Sequence, residues 1–240
     1  MRRSRITGIC VVVAFAISAV AAGAAAAEPE FVTKAAIGET VNSVPFTGTI
    51  GATFFEGATS KSKVNCNGGT FTGEVTGPKS LANIVITLTG CLTSEGRVEN
   101  EGKPEGFVET KVLAGTLGAI TPILPGIKLY SQAEGKGGKV IEAELGSGLV
   151  KLIWKGEVTG VVSGAAGENA ETGKLLTAVK LTFAEKPYGK QRYQGFSEGP
   201  ESGLLGQLED VVDGTPELSG WWAPLTIKTV PSTWGLGVTK

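Results

Sequence analysis

The sequence predicts an all-β protein, an antiparallel β-sandwich or flattened barrel of roughly ten to fourteen strands. Glycine is abundant, with 36 residues in 240, and Val, Ile, Thr and Leu fill the spaces between, as in short strands joined by many turns. Apolar and polar residues alternate with a period of two in several runs, which is typical of strands with one buried face. After the first 27 residues, no stretch of ten or more carries helical apolar spacing without glycine or proline.

The first 27 residues have the pattern of a secretory signal peptide. Three arginines within the first five residues precede an apolar core, Ile9–Ala22, and Ala25–Ala27 supplies small residues for a signal peptidase. We expect cleavage after Ala27, so that the exported protein begins at Glu28; an uncleaved membrane anchor is the alternative. The expected organisation is a signal peptide at 1–27, a lead-in segment at 28–45 and a single all-β domain at 46–240.

The stretch from Cys66 to Cys91 predicts a β-hairpin with a cysteine just outside each end. Its first strand alternates around Phe71 and Val75, and the second strand carries apolar residues at every other position. Gly77–Ser80 connects the strands, with proline at the second position of the turn.

We expect a disulfide between these two cysteines. Cys10 leaves with the signal peptide, so an even number of cysteines remains in an oxidising compartment; two buried free thiols are the alternative. If residues 61–66 formed a strand beside the first hairpin strand, Cys66 would lie about 10 Å from Cys91, beyond disulfide reach. Cys66 therefore either lies in the Asn67–Gly69 turn or belongs to a segment that crosses to another sheet, and we favour the crossing.

Five residues of the hairpin recur later in the chain. Gly156–Gly160 repeats Gly73–Gly77 letter for letter, and each copy precedes an apolar strand. One interpretation is an internal duplication covering 70–91 and 153–184, which gives two hairpins related by a pseudo-twofold axis. The other is chance recurrence of a common β-turn composition. We favour the duplication.

Other runs complete the predicted strand pattern. The proline-rich stretch Thr121–Gly126 is not expected in a central strand. Further strands are expected at Phe46–Phe55, Phe107–Ala114, Ile127–Ser131 and Lys139–Leu145, with a closing strand that contains Leu225 and Ile227.

The sequence has no histidine, which removes the commonest general base and the catalytic triads that depend on imidazole. Without histidine, the two remaining thiolates are too few ligands for a zinc site. A glycosidase needs only two carboxyl groups, and Glu74 and Glu157, one in each repeat copy, are the most suggestive pair. We favour the interpretation that both keep the solvent-facing side of a strand soluble. Glu209, Asp210 and Asp213 match no calcium-loop spacing and are read as solvated turn charges. We therefore assign no catalytic, cofactor-binding or metal-ligating residue.

Composition also bounds the partners. The formal net charge is −1, and no basic block exists to follow a phosphate backbone, so nucleic acid is not an expected partner. No sustained apolar run follows the leader, so no membrane span is expected after signal cleavage. The aromatic pair Trp221–Trp222 is a candidate for stacking on a sugar ring or on a protein partner, because adjacent strand residues face opposite ways. We favour the competing interpretation, in which neighbouring loops bury both rings.

These pieces together resemble a group of secreted actinobacterial proteins of unknown function. The matching features are Ala27–Phe31, Cys66, the turn Gly73–Lys79, the apolar strand Ile84–Leu88 and Cys91. The resemblance covers most of the exported chain, but only the hairpin is specific, and it implies an all-β fold and an exported location without any site residue.

We therefore expect a non-enzymatic extracellular or cell-envelope protein that binds a polysaccharide or an envelope protein, or has a structural role. A carboxylate-based, glycosidase-like hydrolase is the alternative.

Overall fold

The computed structural model describes residues 29–33, 43–121, 124–146, 150–164, 179–183, 185–186, 190–191, 195–196, 204–205, 208–212, 215–229 and 236–238. These residues form strands and no helix, which confirms the all-β prediction. The predicted signal peptide and Asp213 lie outside them. In chain order the strands are β1 (Phe31–Thr33), β2 (Val44–Ile50), β3 (Thr53–Gly57), β4 (Lys63–Cys66), β5 (Gly68–Gly77), β6 (Ser80–Thr89), β7 (Val98–Glu99), β8 (Val108–Glu109), β9 (Leu113–Thr121), β10 (Leu124–Ser131), β11 (Lys139–Leu145), β12 (Val150–Gly164), β13 (Val179–Phe183), β14 (Glu185–Lys186), β15 (Lys190–Gln191), β16 (Gly195–Phe196), β17 (Leu204–Leu205), β18 (Leu208–Val212), β19 (Thr215–Thr229) and β20 (Leu236–Val238).

Eight antiparallel strands close into a barrel in the order β2-β5-β6-β9-β10-β12-β13-β19. The ring is complete because β19 pairs with both β13 and β2. Closure removes the unpaired backbone edge that an open sheet would present to other chains. Of the two architectures left open by the sequence, the barrel is the one formed.

A second sheet continues from the same chain in the order β4-β3-β19-β18-β12-β11-β7. Single backbone pairings also join Asn65 to Leu92 and Leu92 to Arg97. They connect β4 to the residue that precedes β7. Among the described residues, the β4 and β7 ends of the second sheet are thus joined by single pairings.

Two 15-residue strands join the barrel to the second sheet. In β12 the residues up to Gly156 pair with β11 and β18, whereas those from Glu157 onward pair with β10 and β13. Gly156 has a φ of 101°, a backbone conformation that suits glycine and no side chain, so a glycine is required where β12 changes sheets. In β19 the change of partners falls between Trp222 and Ala223.

The predicted hairpin is present as β5 and β6, and its alternation is confirmed. Phe71 and Val75 are buried, as are Ile84, Ile86 and Leu88, while the threonines between them are exposed or half-buried. The buried faces of these strands line the barrel interior, because period-two side chains share one face.

The predicted disulfide joins Cys66 to Cys91. The favoured crossing is also correct, since β4 ends at Cys66 in the second sheet and β5 begins at Gly68 in the barrel. The single residue between them, Asn67, donates its backbone N–H to the carbonyl of Thr89 at 2.9 Å.

A chain of aromatic rings fills the junction between the barrel and the second sheet. Trp154 contacts Phe55 with ring centroids 4.9 Å apart, and Phe55 stacks on Trp221 at 5.1 Å. Trp221 in turn stacks on Phe183 of the barrel at 4.8 Å. All four rings are buried, so this core is continuous from one sheet into the other.

The two copies of the repeated pentapeptide lie on β5 and β12, four positions apart in the eight-strand ring and therefore on opposite sides of the barrel. Their hairpin registers differ. Gly77 pairs with Ser80 beside its turn, whereas Gly160 pairs with Phe183, far from the connection between β12 and β13. The positions of β5 and β12 in the ring agree with a pseudo-twofold arrangement, but the registers of their pairings do not. The internal duplication therefore stays a hypothesis.

Three local predictions need correction. The run Phe46–Phe55 is divided between β2 of the barrel and β3 of the second sheet by a corner at Gly51–Ala52. The run Phe107–Ala114 is broken into β8 and the start of β9. The proline-rich stretch contributes Leu124–Gly126 to β10. The register shifts between Leu124 and Pro125, because the proline nitrogen has no hydrogen to donate to the neighbouring strand.

The lead-in segment takes part in the fold. Its β1 pairs with β20, Phe31 is buried, and the backbone N–H of Phe31 donates to the carbonyl of Pro78 at 2.6 Å. The first barrel strand begins at Val44, two residues before the expected domain boundary.

Candidate functional site

Trp221 and Trp222 lie on opposite faces of β19. Trp221 points into the core, is fully buried, and donates its indole N–H to Thr53 Oγ1 at 2.8 Å. Trp222 lies on the outer face of the second sheet and remains partly exposed. Only Trp222 can therefore meet a ligand without unfolding the core.

Trp222 is held in place by the neighbouring strand. Its ring stacks on that of Phe54 in β3, with centroids 5.6 Å apart and planes inclined by 18°. The ammonium of Lys63 in β4 lies 3.5 Å from the centroid of the Phe54 ring, and Lys63 Nζ is 3.7 Å from Glu56 Oε2. Phe54 is covered from both sides, so it positions Trp222 and does not offer its own face.

The stacked pair belongs to a longer line of side chains across the second sheet. Residues that lie directly opposite one another on antiparallel strands share a face, and the register joins one residue from each successive segment. We call this line the outer row, and it consists of Trp222, Phe54, Asn65, Leu92 and Arg97. The row spans four strand spacings, or about 19 Å measured along the sheet.

The outer row combines exposed apolar and hydrogen-bonding groups. Leu92 is 47% exposed, the largest exposure among the exposed large hydrophobic residues of the described chain, and Asn65 beside it is exposed. Arg97 forms an exposed ion pair with Glu105, with Arg97 Nε 3.7 Å from Glu105 Oε2. Lys63 and Arg97, two cations described in or beside the row, thus each lie close to a carboxylate.

The disulfide lies directly behind the centre of the outer row. Cys66 follows Asn65 and Cys91 precedes Leu92, and both cysteines are buried while their neighbours in the row are exposed. Backbone N–H groups of Asn65 and Leu92 each donate to the other residue's carbonyl at 2.8 Å. The disulfide therefore fixes the spacing between Asn65 and Leu92, which are joined by a single pairing and not by a strand ladder.

The carboxylates proposed as a catalytic pair do not meet. Glu74 on β5 and Glu157 on β12 lie on opposite sides of the barrel, and both point outward, because their neighbours Val75 and Val158 point inward. They cannot act on one bond. Glu74 accepts hydrogen bonds from Ser43 and Asn83, which hold the pKa of its carboxyl below the usual range.

The interpretation of Glu157 as a solvent-facing residue is wrong. Glu157 is 6% exposed, and its Oε2 lies 3.4 Å from the Nζ of Lys128, which is fully buried. Both side chains lie on the outer face of the barrel, where the chain covers β10 and β12. The pair is a buried salt bridge within the fold.

The row residues other than tryptophan were not identified from the sequence. Alternation in β3 places Phe54 opposite the buried Phe55, and that signal was readable. The partners Asn65 and Leu92 are brought together by single pairings between distant segments, which leave no local pattern.

Within the described residues, no group of three or more Asp, Glu, Cys or His side chains is placed to hold a metal ion, and no helix is long and apolar enough to span a membrane. Glu209 and Asp210 lie on β18, and their side chains fall outside the described part of the structure. Comparison of the chain with protein-family models, curated proteins and solved structures found no match.

Proposed function

We propose that this chain is a secreted or cell-envelope protein without enzymatic activity that binds an uncharged polysaccharide along the outer row. The observation that carries the proposal is the partly exposed Trp222, oriented by Phe54 at one end of a line of exposed residues about 19 Å long. An extended line fits an extended polymer better than a small molecule, which proteins usually enclose in a pocket.

The chemistry of the row supports a neutral sugar polymer. Tryptophan offers an apolar ring with a polar N–H, and the Asn65 side chain can both donate and accept hydrogen bonds. Lys63 and Arg97 each lie close to a carboxylate, which weakens their attraction for an anionic polymer.

The exported location rests on two features. The leader has the pattern of a signal peptide, and the Cys66–Cys91 disulfide is compatible with an oxidising compartment. N-terminal sequencing of the exported protein should begin at Glu28; recovery of Met1 would contradict cleavage.

The binding proposal is tested with a glycan array and an envelope pull-down of the exported domain. We expect uncharged polysaccharides to be retained by the unmodified protein and lost by Trp222→Ala. Phe107→Ala is the matched control, because Phe107 is another exposed aromatic residue, 39% exposed, outside the outer row. Retention of the same glycans by Trp222→Ala, or their loss in Phe107→Ala, would contradict the assignment.

A further inference from the structure

Two carboxylates face each other on the second sheet, next to the Arg97 end of the outer row. Glu99 on β7 pairs directly with Glu144 on β11. Directly opposed residues of antiparallel strands project to the same face with Cβ atoms about 4.5–5.5 Å apart. Like charges in such a pair repel each other, and the arrangement destabilises a sheet unless something compensates it.

Glu99 is also buried. The residue is 9% exposed, and its Oε2 has no hydrogen-bond partner in the part of the chain that the structure describes. A buried carboxylate oxygen without a partner is costly, because it has lost its hydrogen bonds to water without gaining another. The burial and the like-charge neighbour therefore act in the same unfavourable direction.

Among the described residues, the cations nearest in register form no ion pair with either carboxylate. Arg97 lies two residues before Glu99 but is paired with Glu105. Lys151 lies opposite Glu144 on β12, yet its side chain is exposed, and among the described residues no ion pair includes Glu99 or Glu144. Asn100 is held by the backbone of Glu109 and Glu142.

We infer that Glu99 and Glu144 together form a binding site for a hard divalent cation, with Ca²⁺ as the preferred ion. Carboxylate oxygens are ligands for Ca²⁺ and Mg²⁺, and with no histidine or free thiol nearby the site does not suit zinc or copper. Ca²⁺ accepts irregular geometry and carboxylates that bind through one or both oxygens, whereas Mg²⁺ demands a near-ideal octahedron. Backbone carbonyls and water complete the coordination.

A cation here would also link β7 to β11. Strand β7 follows Arg97, the last member of the outer row; it pairs with β11 on one side, and on the other the Val98 N–H donates to the Cys91 carbonyl at 3.1 Å. Two protein carboxylates make a weak site, in the range of about 10⁻⁴–10⁻³ M that is usual for extracellular modules. The ion would thus be bound at extracellular calcium concentrations and would stabilise the end of the row.

The site is tested on the exported chain by calorimetric titration with CaCl₂ and by thermal unfolding in CaCl₂ and in EDTA. We expect saturable binding of Ca²⁺ and a higher Tm in Ca²⁺ than in EDTA. Glu99→Gln and Glu144→Gln should each weaken binding by about tenfold or more. Glu101→Gln, at an exposed glutamate close in sequence, should bind as the unmodified protein does.

Folding defects are separated from loss of the site by the melts in EDTA. There the two Gln variants should unfold at or above the Tm of the unmodified protein, because the substitution removes like-charge repulsion. The inference is overturned if the unmodified protein has the same Tm in Ca²⁺ and in EDTA, or if both Gln variants gain as much stability from Ca²⁺ as the unmodified protein does. Equal loss of binding in Glu101→Gln would overturn it as well, since the ion would then be bound by general surface charge.

Discussion

Cys66 and Cys91 are joined where their two segments each cross between the barrel and the second sheet, with their Cα atoms 4.0 Å apart. Cys66 ends β4 of the second sheet, and Cys91 follows β6 of the barrel, separated from it by Gly90 alone. The bond therefore spans the junction of the two sheets and supports the Asn65–Leu92 pairing in front of it.

Removing this bond should destabilise the fold. A cross-link between residues 25 positions apart lowers the conformational entropy of the unfolded chain, which stabilises the fold by about 3 kcal/mol. The variant Cys66→Ala/Cys91→Ala should therefore unfold at a lower urea concentration. Urea unfolding of the two proteins without reductant measures the difference. Alkylation of the unreduced protein should label neither cysteine, and labelling of both would show that the bond is not formed.

The two adjacent tryptophans should differ strongly in their effect on stability. Trp221→Ala removes a buried ring that stacks on Phe55 and Phe183, and it should cost about 3–5 kcal/mol in the free energy of unfolding. Trp222→Ala loses one stacking contact on a partly exposed face, a change of about 0.5–1.5 kcal/mol. Urea unfolding of both variants tests this ranking, and equal losses would contradict the assignment of Trp222 to the surface.

The buried pair Lys128–Glu157 should be far more sensitive to single than to double substitution. Lys128→Met leaves the Glu157 carboxylate buried beside an apolar side chain, which should cost about 3–5 kcal/mol. Lys128→Met/Glu157→Leu removes both charges and should recover most of that loss. A double-mutant cycle from chemical unfolding measures the coupling, and additive losses would mean that the two charges do not interact.

Glu217 should contribute to stability in a pH-dependent way. Burial raises the pKa of its carboxyl, but hydrogen bonds from Ser60 and Thr59 outweigh burial and hold the pKa below its usual range. Because the folded-state pKa is depressed, this stabilisation is present above the unfolded-state pKa and is lost as pH falls below about 4. Glu217→Gln should thus lower Tm at pH 7 and converge with the unmodified protein at pH 2–3. A constant difference in Tm across that range would contradict the linkage.

The elements predicted correctly are those whose signal is local. The β5–β6 hairpin is predicted by alternation around Phe71 and Val75 and by a turn at Gly77–Ser80. The short reach of a disulfide predicts that the segment ending at Cys66 belongs to another sheet. The strand β11 was likewise readable from strict alternation between glutamates and apolar residues.

The rest depends on contacts between distant segments. Alternation assigns Glu157 to the outer face of its strand, but it cannot tell that this part of the face is covered. The sequence equally gives no sign that β12 and β19 each serve both sheets, since a strand that changes partners keeps the same alternation. Glu99 and Glu144 are 45 residues apart and meet only through the pairing of β7 with β11.

The outer row is tested most directly by the affinity of the exported domain for the glycan that it retains best, measured by titration calorimetry with the Trp222→Ala and Phe107→Ala variants. We predict that Trp222→Ala weakens binding by about tenfold or more, because tryptophan is among the residues whose truncation costs most at binding surfaces. Phe107→Ala should bind with unchanged affinity, and both variants should show cooperative unfolding. Equal affinity in Trp222→Ala and the unmodified protein would contradict binding along the row.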